Sequence, residues 1–77
     1  MDVELYYFDG CPFCDKVFRY MEQKGVKVPT RNIYEDDGAY RTLRQVGGKI
    51  QVPCLMIDGH AMYESDDIIT WMEENFT

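Results

Sequence analysis

The sequence predicts a small α/β domain with elements in the order β-α-β-α-β-β-α, and three observations carry that expectation. Residues 3–8 form a β-branched and aromatic run closed by Asp9 and Gly10, and helical periodicity follows at once. Residues 52–57 are a nearly continuous apolar run ending on Asp58 and Gly59, the composition of a central strand covered on both faces that enters a hairpin turn. Ser65, Asp66 and Asp67 then precede Ile68, Ile69, Met72 and Phe76, so a capped helix with one apolar stripe ends the pattern.

The remaining elements fill the gaps. Pro12 suits a first helical turn, where its missing N–H costs nothing. Cys14, Val17, Phe18 and Met21 then recur at i, i+3, i+4 and i+7, and Gly25 can end that helix. Residues 26–33 alternate loosely as a second strand, weakened by Pro29. Tyr40, Leu43 and Val46 fall at helical spacing within residues 35–46, which Gly47 and Gly48 terminate. Residues 60–63 are the returning strand, with His60 expected in the exposed hairpin turn and without a catalytic role.

Seventy-seven residues suffice for one domain, expected over residues 1–77, with a small core that buries roughly 60% of the unfolded surface. Eight basic against fourteen acidic residues give a net charge of -6, which argues against nucleic acid or an anionic membrane as partner. No apolar run approaches the roughly 20 residues of a membrane span. No leader pattern is visible in the first residues, so a cytoplasmic protein is expected. The tyrosines and Trp71 are expected to pack in or against the core rather than to form a binding surface.

Chemistry concentrates at Cys11, Pro12, Phe13 and Cys14, two thiols at a strand-to-helix turn. A C-x-x-C pair is either a redox dithiol or half of a zinc site. The soft donors left over, Cys54 and His60, stand at a spacing that fits no common zinc pattern, which favours the dithiol. Backbone N–H groups and the helix dipole favour thiolate at the helix start, and thiolate attacks disulfides. Helical spacing puts Cys14 on the buried stripe and leaves Cys11 exposed ahead of it. Cys54 reads as a small core residue.

The dithiol, the Gln51, Val52 and Pro53 segment, and the Tyr63, Glu64, Ser65, Asp66 and Asp67 segment together resemble a glutaredoxin, of the kind closest to the N-terminal domain of glutathione transferases. The resemblance spans essentially the whole chain. It implies a thioredoxin-like fold with a four-stranded mixed sheet and three helices, and a cis Val52–Pro53 bond. It implies a glutathione-dependent thiol-disulfide oxidoreductase with Cys11 as nucleophile and Cys14 as resolving thiol. Glutathione serves as co-substrate, no prosthetic group is bound permanently, disulfide-bearing proteins are substrates, and the chain acts as a monomer. The glutathione-binding residues implied are Pro12, Phe13, Lys49, Gln51, Val52, Pro53, Glu64, Ser65 and Asp66. Free N–H groups and the Ser65 hydroxyl suit a γ-glutamyl carboxylate there, and the Asp66 carboxylate suits its ammonium. Phe8 stands where many glutaredoxins carry lysine, and Lys49 is the best replacement cation, ahead of Arg44. Three other functions fit the same motifs: a dithiol carrier reduced by a thioredoxin-type reductase, a transferase-like module that binds glutathione without turnover, and a carrier of a [2Fe-2S] cluster held by Cys11 and glutathione from two subunits.

Overall fold

The computed structural model describes residues 2–76. Its elements are β1 (Val3–Tyr7), α1 (Pro12–Lys24), β2 (Thr30–Asn32), α2 (Asp37–Thr42) running into a π-helical turn (Leu43–Gly47), β3 (Cys54–Ile57), β4 (His60–Met62) and α3 (Ser65–Phe76). The strands form one mixed sheet in the order β2-β1-β3-β4, with β2 parallel to β1 and the other neighbours antiparallel. This is the expected thioredoxin-like arrangement, and the Val52–Pro53 bond is cis.

Alternation along the two central strands sorts the core into two layers. Val3 and Leu5 of β1 and Leu55 of β3 pack with Val17 and Met21 of α1 and Ile68 and Met72 of α3. Tyr6, Cys54 and Met56 point the other way, against Ile33, Ala39 and Leu43. A sheet buried on both faces needs apolar residues at successive positions, which is why residues 54–56 show no polar alternation.

Every strand is shorter than in the sequence reading, β1 ending at Tyr7 and β4 at Met62. β2 keeps only Thr30–Asn32 of the expected 26–33, because Pro29 has no N–H and contributes only its carbonyl, to the Leu5 amide at 2.9 Å. β3 starts at Cys54 rather than Val52, since Pro53 likewise has no donor for a ladder. His60 is the first residue of β4, paired with Ile57, while Asp58 (φ 49°) and Gly59 (φ 84°) make the turn. Positive φ at both central positions matches the twist of the flanking strands.

Candidate active site

α1 begins where β1 ends, and Cys11 is its N-cap. The Cys14 amide donates to the Cys11 sulfur at 3.2 Å, so the sulfur fills the role a serine or aspartate oxygen plays at most helix starts. That donor and the helix dipole both stabilise negative charge on the sulfur. The Cys11 thiol in turn faces the Val52 carbonyl at 3.9 Å across the sheet end.

This contact corrects the expectation that Cys11 is open. Cys11 is only 5% exposed, with the Val52 carbonyl against its sulfur. The ranking of the thiols survives, since Cys14 and Cys54 are both at 0%. Burial pushes the Cys14 thiol well up from 9.0, and its hydrogen bond and charge interaction with Cys11 push in the same direction. Cys54 lies in the second core layer, where burial raises its thiol to about 11. It is the core residue the sequence suggested.

Beside the dithiol lies a cleft of about 220 Å³ lined by Phe13, Lys16, Gln51, Val52, Pro53, Tyr63, Glu64, Ser65 and Asp66. It gathers seven of the residues expected at a ligand site. Cys11 does not line it and instead touches Val52, which does. Pro12, in the first turn of α1, is exposed and outside the lining. Lys49 is outside too: its ammonium lies 4.5 Å from the centroid of the Tyr63 ring. A larger depression of about 580 Å³, flanked by Asp2, Glu4, Lys27 and Phe76, has no thiol in its lining.

Two residues of the cleft, Lys16 and Tyr63, were not among the expected ligand residues. Lys16 forms an ion pair with Asp66 across the cleft, joining α1 to α3. Its signal was available, because Phe13 and Lys16 are three apart and share a helix face. Tyr63 opens the segment that carries the resemblance, directly before Glu64. The start of α3 also moves by one position: its first bond runs from the Ile68 amide to the Glu64 carbonyl at 2.9 Å, so Glu64, not Ser65, is the cap residue. Ser65 is 9% exposed in the first turn, and the amides of residues 65–67 precede the hydrogen-bond ladder.

Phe8 fills the position of the missing lysine with aromatic packing. Its ring lies 5.3 Å from that of Tyr34, which lies 6.3 Å from Tyr40. Tyr34 is 67% exposed, contrary to the expectation that the tyrosines pack inward. It sits in the turn after β2, where its amide bonds to the Asn32 side chain at 3.0 Å and the chain has already left the sheet.

The family model for the glutathione S-transferase N-terminal domain matches residues 5–77. The chain belongs to that family. Solved structures share its fold. Glutathione transferase Omega 3C from Trametes versicolor is 26% identical with a TM-score of 0.80, over 99% of this chain and 34% of that one. NrdH-redoxin from Escherichia coli is 23% identical with a TM-score of 0.77, over 94% of this chain and 95% of that one. Glutaredoxin from Brucella melitensis is 20% identical with a TM-score of 0.65, over 99% and 82%. No curated protein matches the chain. This glutathione S-transferase N-terminal domain has the thioredoxin-like fold seen in those solved structures. Among its described residues no helix is long and apolar enough to cross a membrane.

Proposed function

We propose that the protein is a glutaredoxin-type thiol-disulfide oxidoreductase working through Cys11 and Cys14. The observation that carries this reading is the Cys11 sulfur seated as the cap of α1, hydrogen-bonded by the Cys14 amide and adjacent to the Val52 edge of the cleft. The Cys11 thiolate attacks one sulfur of a substrate disulfide. A bond forms between Cys11 and that sulfur, the substrate S–S bond breaks, and the departing thiolate takes a proton.

Cys14 acts second. While Cys11 is free, burial and the neighbouring sulfur keep Cys14 protonated and out of the competition for substrate. Formation of the mixed disulfide removes the hydrogen bond and the charge that Cys11 contributed, so Cys14 gives up its proton more readily. It then attacks the Cys11 sulfur, releasing the reduced substrate and leaving a Cys11–Cys14 disulfide. Two molecules of glutathione return the two electrons, and no bound prosthetic group takes part.

Glutathione fits the cleft in a defined direction. Its cysteine lies along Val52, whose main chain has no strand partner and is free to pair with an extended thiol. The amides of residues 65–67 and the Ser65 hydroxyl donate to the γ-glutamyl carboxylate, and Asp66 takes the ammonium in exchange for Lys16. Phe13, Gln51, Pro53 and Glu64 supply the walls. Lys49, held on Tyr63 at the rim, is the cation for the glycine carboxylate.

A second reading, a dithiol carrier reduced by a thioredoxin-type reductase, is favoured by Phe8, which packs on Tyr34 where a cation would hold that carboxylate. Turnover of a glutathione mixed disulfide, measured with glutathione and with a flavin reductase in turn, separates the two. Activity with glutathione supports the first reading, and activity with the reductase alone supports the second. Full turnover by Cys11→Ser would defeat both.

A further inference from the structure

We propose that Tyr63 is a positioning residue: it clamps the 48–53 loop so that the Val52 main chain stands against Cys11, and Gly47 is a glycine to make room for it. The inference rests on the exchange reading above and adds the part that holds the substrate ledge in place.

The loop between the π-helical turn and β3 has no regular structure. Ile50 and Val52 pack against the second core layer, which fixes its depth but not its direction. Among the described residues, two hydrogen bonds reach its carbonyls from outside: the Tyr63 hydroxyl donates to Lys49 at 3.1 Å, and the Cys11 thiol donates to Val52 at 3.9 Å. The second exists only while Cys11 keeps its proton. Once Cys11 ionises for attack, the directional bond left is the one from Tyr63. The Lys49 ammonium over the face of the same ring adds a second attachment at the same residue.

Gly47 shows that the contact is built into the chain. Its φ is not in the left-handed region, unlike that of Gly48 at 80°, so its backbone accepts any small side chain. A Cβ at Gly47 would land on the Tyr63 hydroxyl, with the ring Cζ 2.9 Å away. The position lacks a side chain because Tyr63 lies there. The π-helical turn, which widens the end of α2, brings Gly47 to that place.

Four variants test the clamp: Tyr63→Phe, which keeps the ring and removes the hydroxyl, Gly47→Ala, Tyr63→Ala, and the pair Gly47→Ala with Tyr63→Ala. The readouts are hydrogen exchange at the Val52 and Cys54 amides, kcat and KM with a glutathionylated peptide, and alkylation of Cys11 by iodoacetamide, which needs no ledge. Tyr63→Phe should speed loop exchange and raise KM about five-fold, the scale of one lost hydrogen bond, with kcat changed less than about two-fold. Its alkylation rate should match wild type. Gly47→Ala should do the same or worse in the wild-type background and add nothing when residue 63 is alanine. Unchanged loop exchange in both single variants, or an equal penalty for Gly47→Ala with and without the Tyr63 ring, overturns the proposal. A wild-type protein inert toward every disulfide refutes the oxidoreductase reading separately, because the clamp stands or falls on amide exchange.

Discussion

Cys11 combines two roles, helix cap and nucleophile, and they can be separated by substitution. Cys11→Ser should abolish disulfide exchange yet keep the cap, since a hydroxyl accepts the Cys14 amide as well as sulfur does. Cys11→Ala should abolish exchange and also cost about 1 kcal/mol of unfolding free energy, the usual penalty of a lost cap. Urea denaturation of the two inactive proteins checks the difference. Cys54→Ser should leave turnover close to wild type, because Cys54 is fully buried in the second core layer and does not line the cleft. A large fall in kcat would give that thiol a chemical role.

Arg31 ties β2 to its surroundings at the scale of elements. Its guanidinium bonds the Asp36 carboxylate at 3.0 Å and the Tyr6 hydroxyl at 3.2 Å, while Asp36 itself caps α2 through the Ala39 amide at 3.1 Å. A three-residue edge strand needs such help. Arg31→Met should lower the urea midpoint, and a further Asp36→Asn change should cost less in that background than alone. The hydrogen bond from Arg31 holds the Asp36 carboxyl below its ordinary 3.8. Stabilisation by a lowered carboxyl is present above the unfolded value and disappears as pH falls through the folded one. The stability gap between wild type and Asp36→Asn should therefore close below about pH 4.

The two-sided core of the whole molecule shows in its alkaline behaviour. Burial raises both Cys14 and Cys54 from 9.0, Cys54 to about 11. A raised thiol contributes stability that is complete below the unfolded value and is lost as pH climbs through the folded one. Melting temperature should fall from pH 9 upward, and Cys54→Ser should lose roughly 2–3 kcal/mol less than wild type between about pH 9 and 11. The net charge of -6 acts over the same surface: exchange with a cationic disulfide peptide should slow as salt is added, and with an anionic one quicken.

Local signals determined the element order, the dithiol at a helix start, the burial of Cys14 and Cys54, and the double-faced central strand. Each depends on spacing of 2 or 3.6 residues or on a turn pair, so neighbours in sequence suffice to specify it. The resemblance carried the cis bond before Pro53 and the gathering of Val52 with Ser65, which no periodicity encodes. Only the tertiary structure decided the cover over Cys11, the Lys16 and Asp66 pair, the seating of Lys49 on Tyr63, and the empty space at Gly47 that Tyr63 fills. Those contacts join residues 14 to 50 positions apart, and their geometry follows from how the strands and helices pack rather than from any local preference.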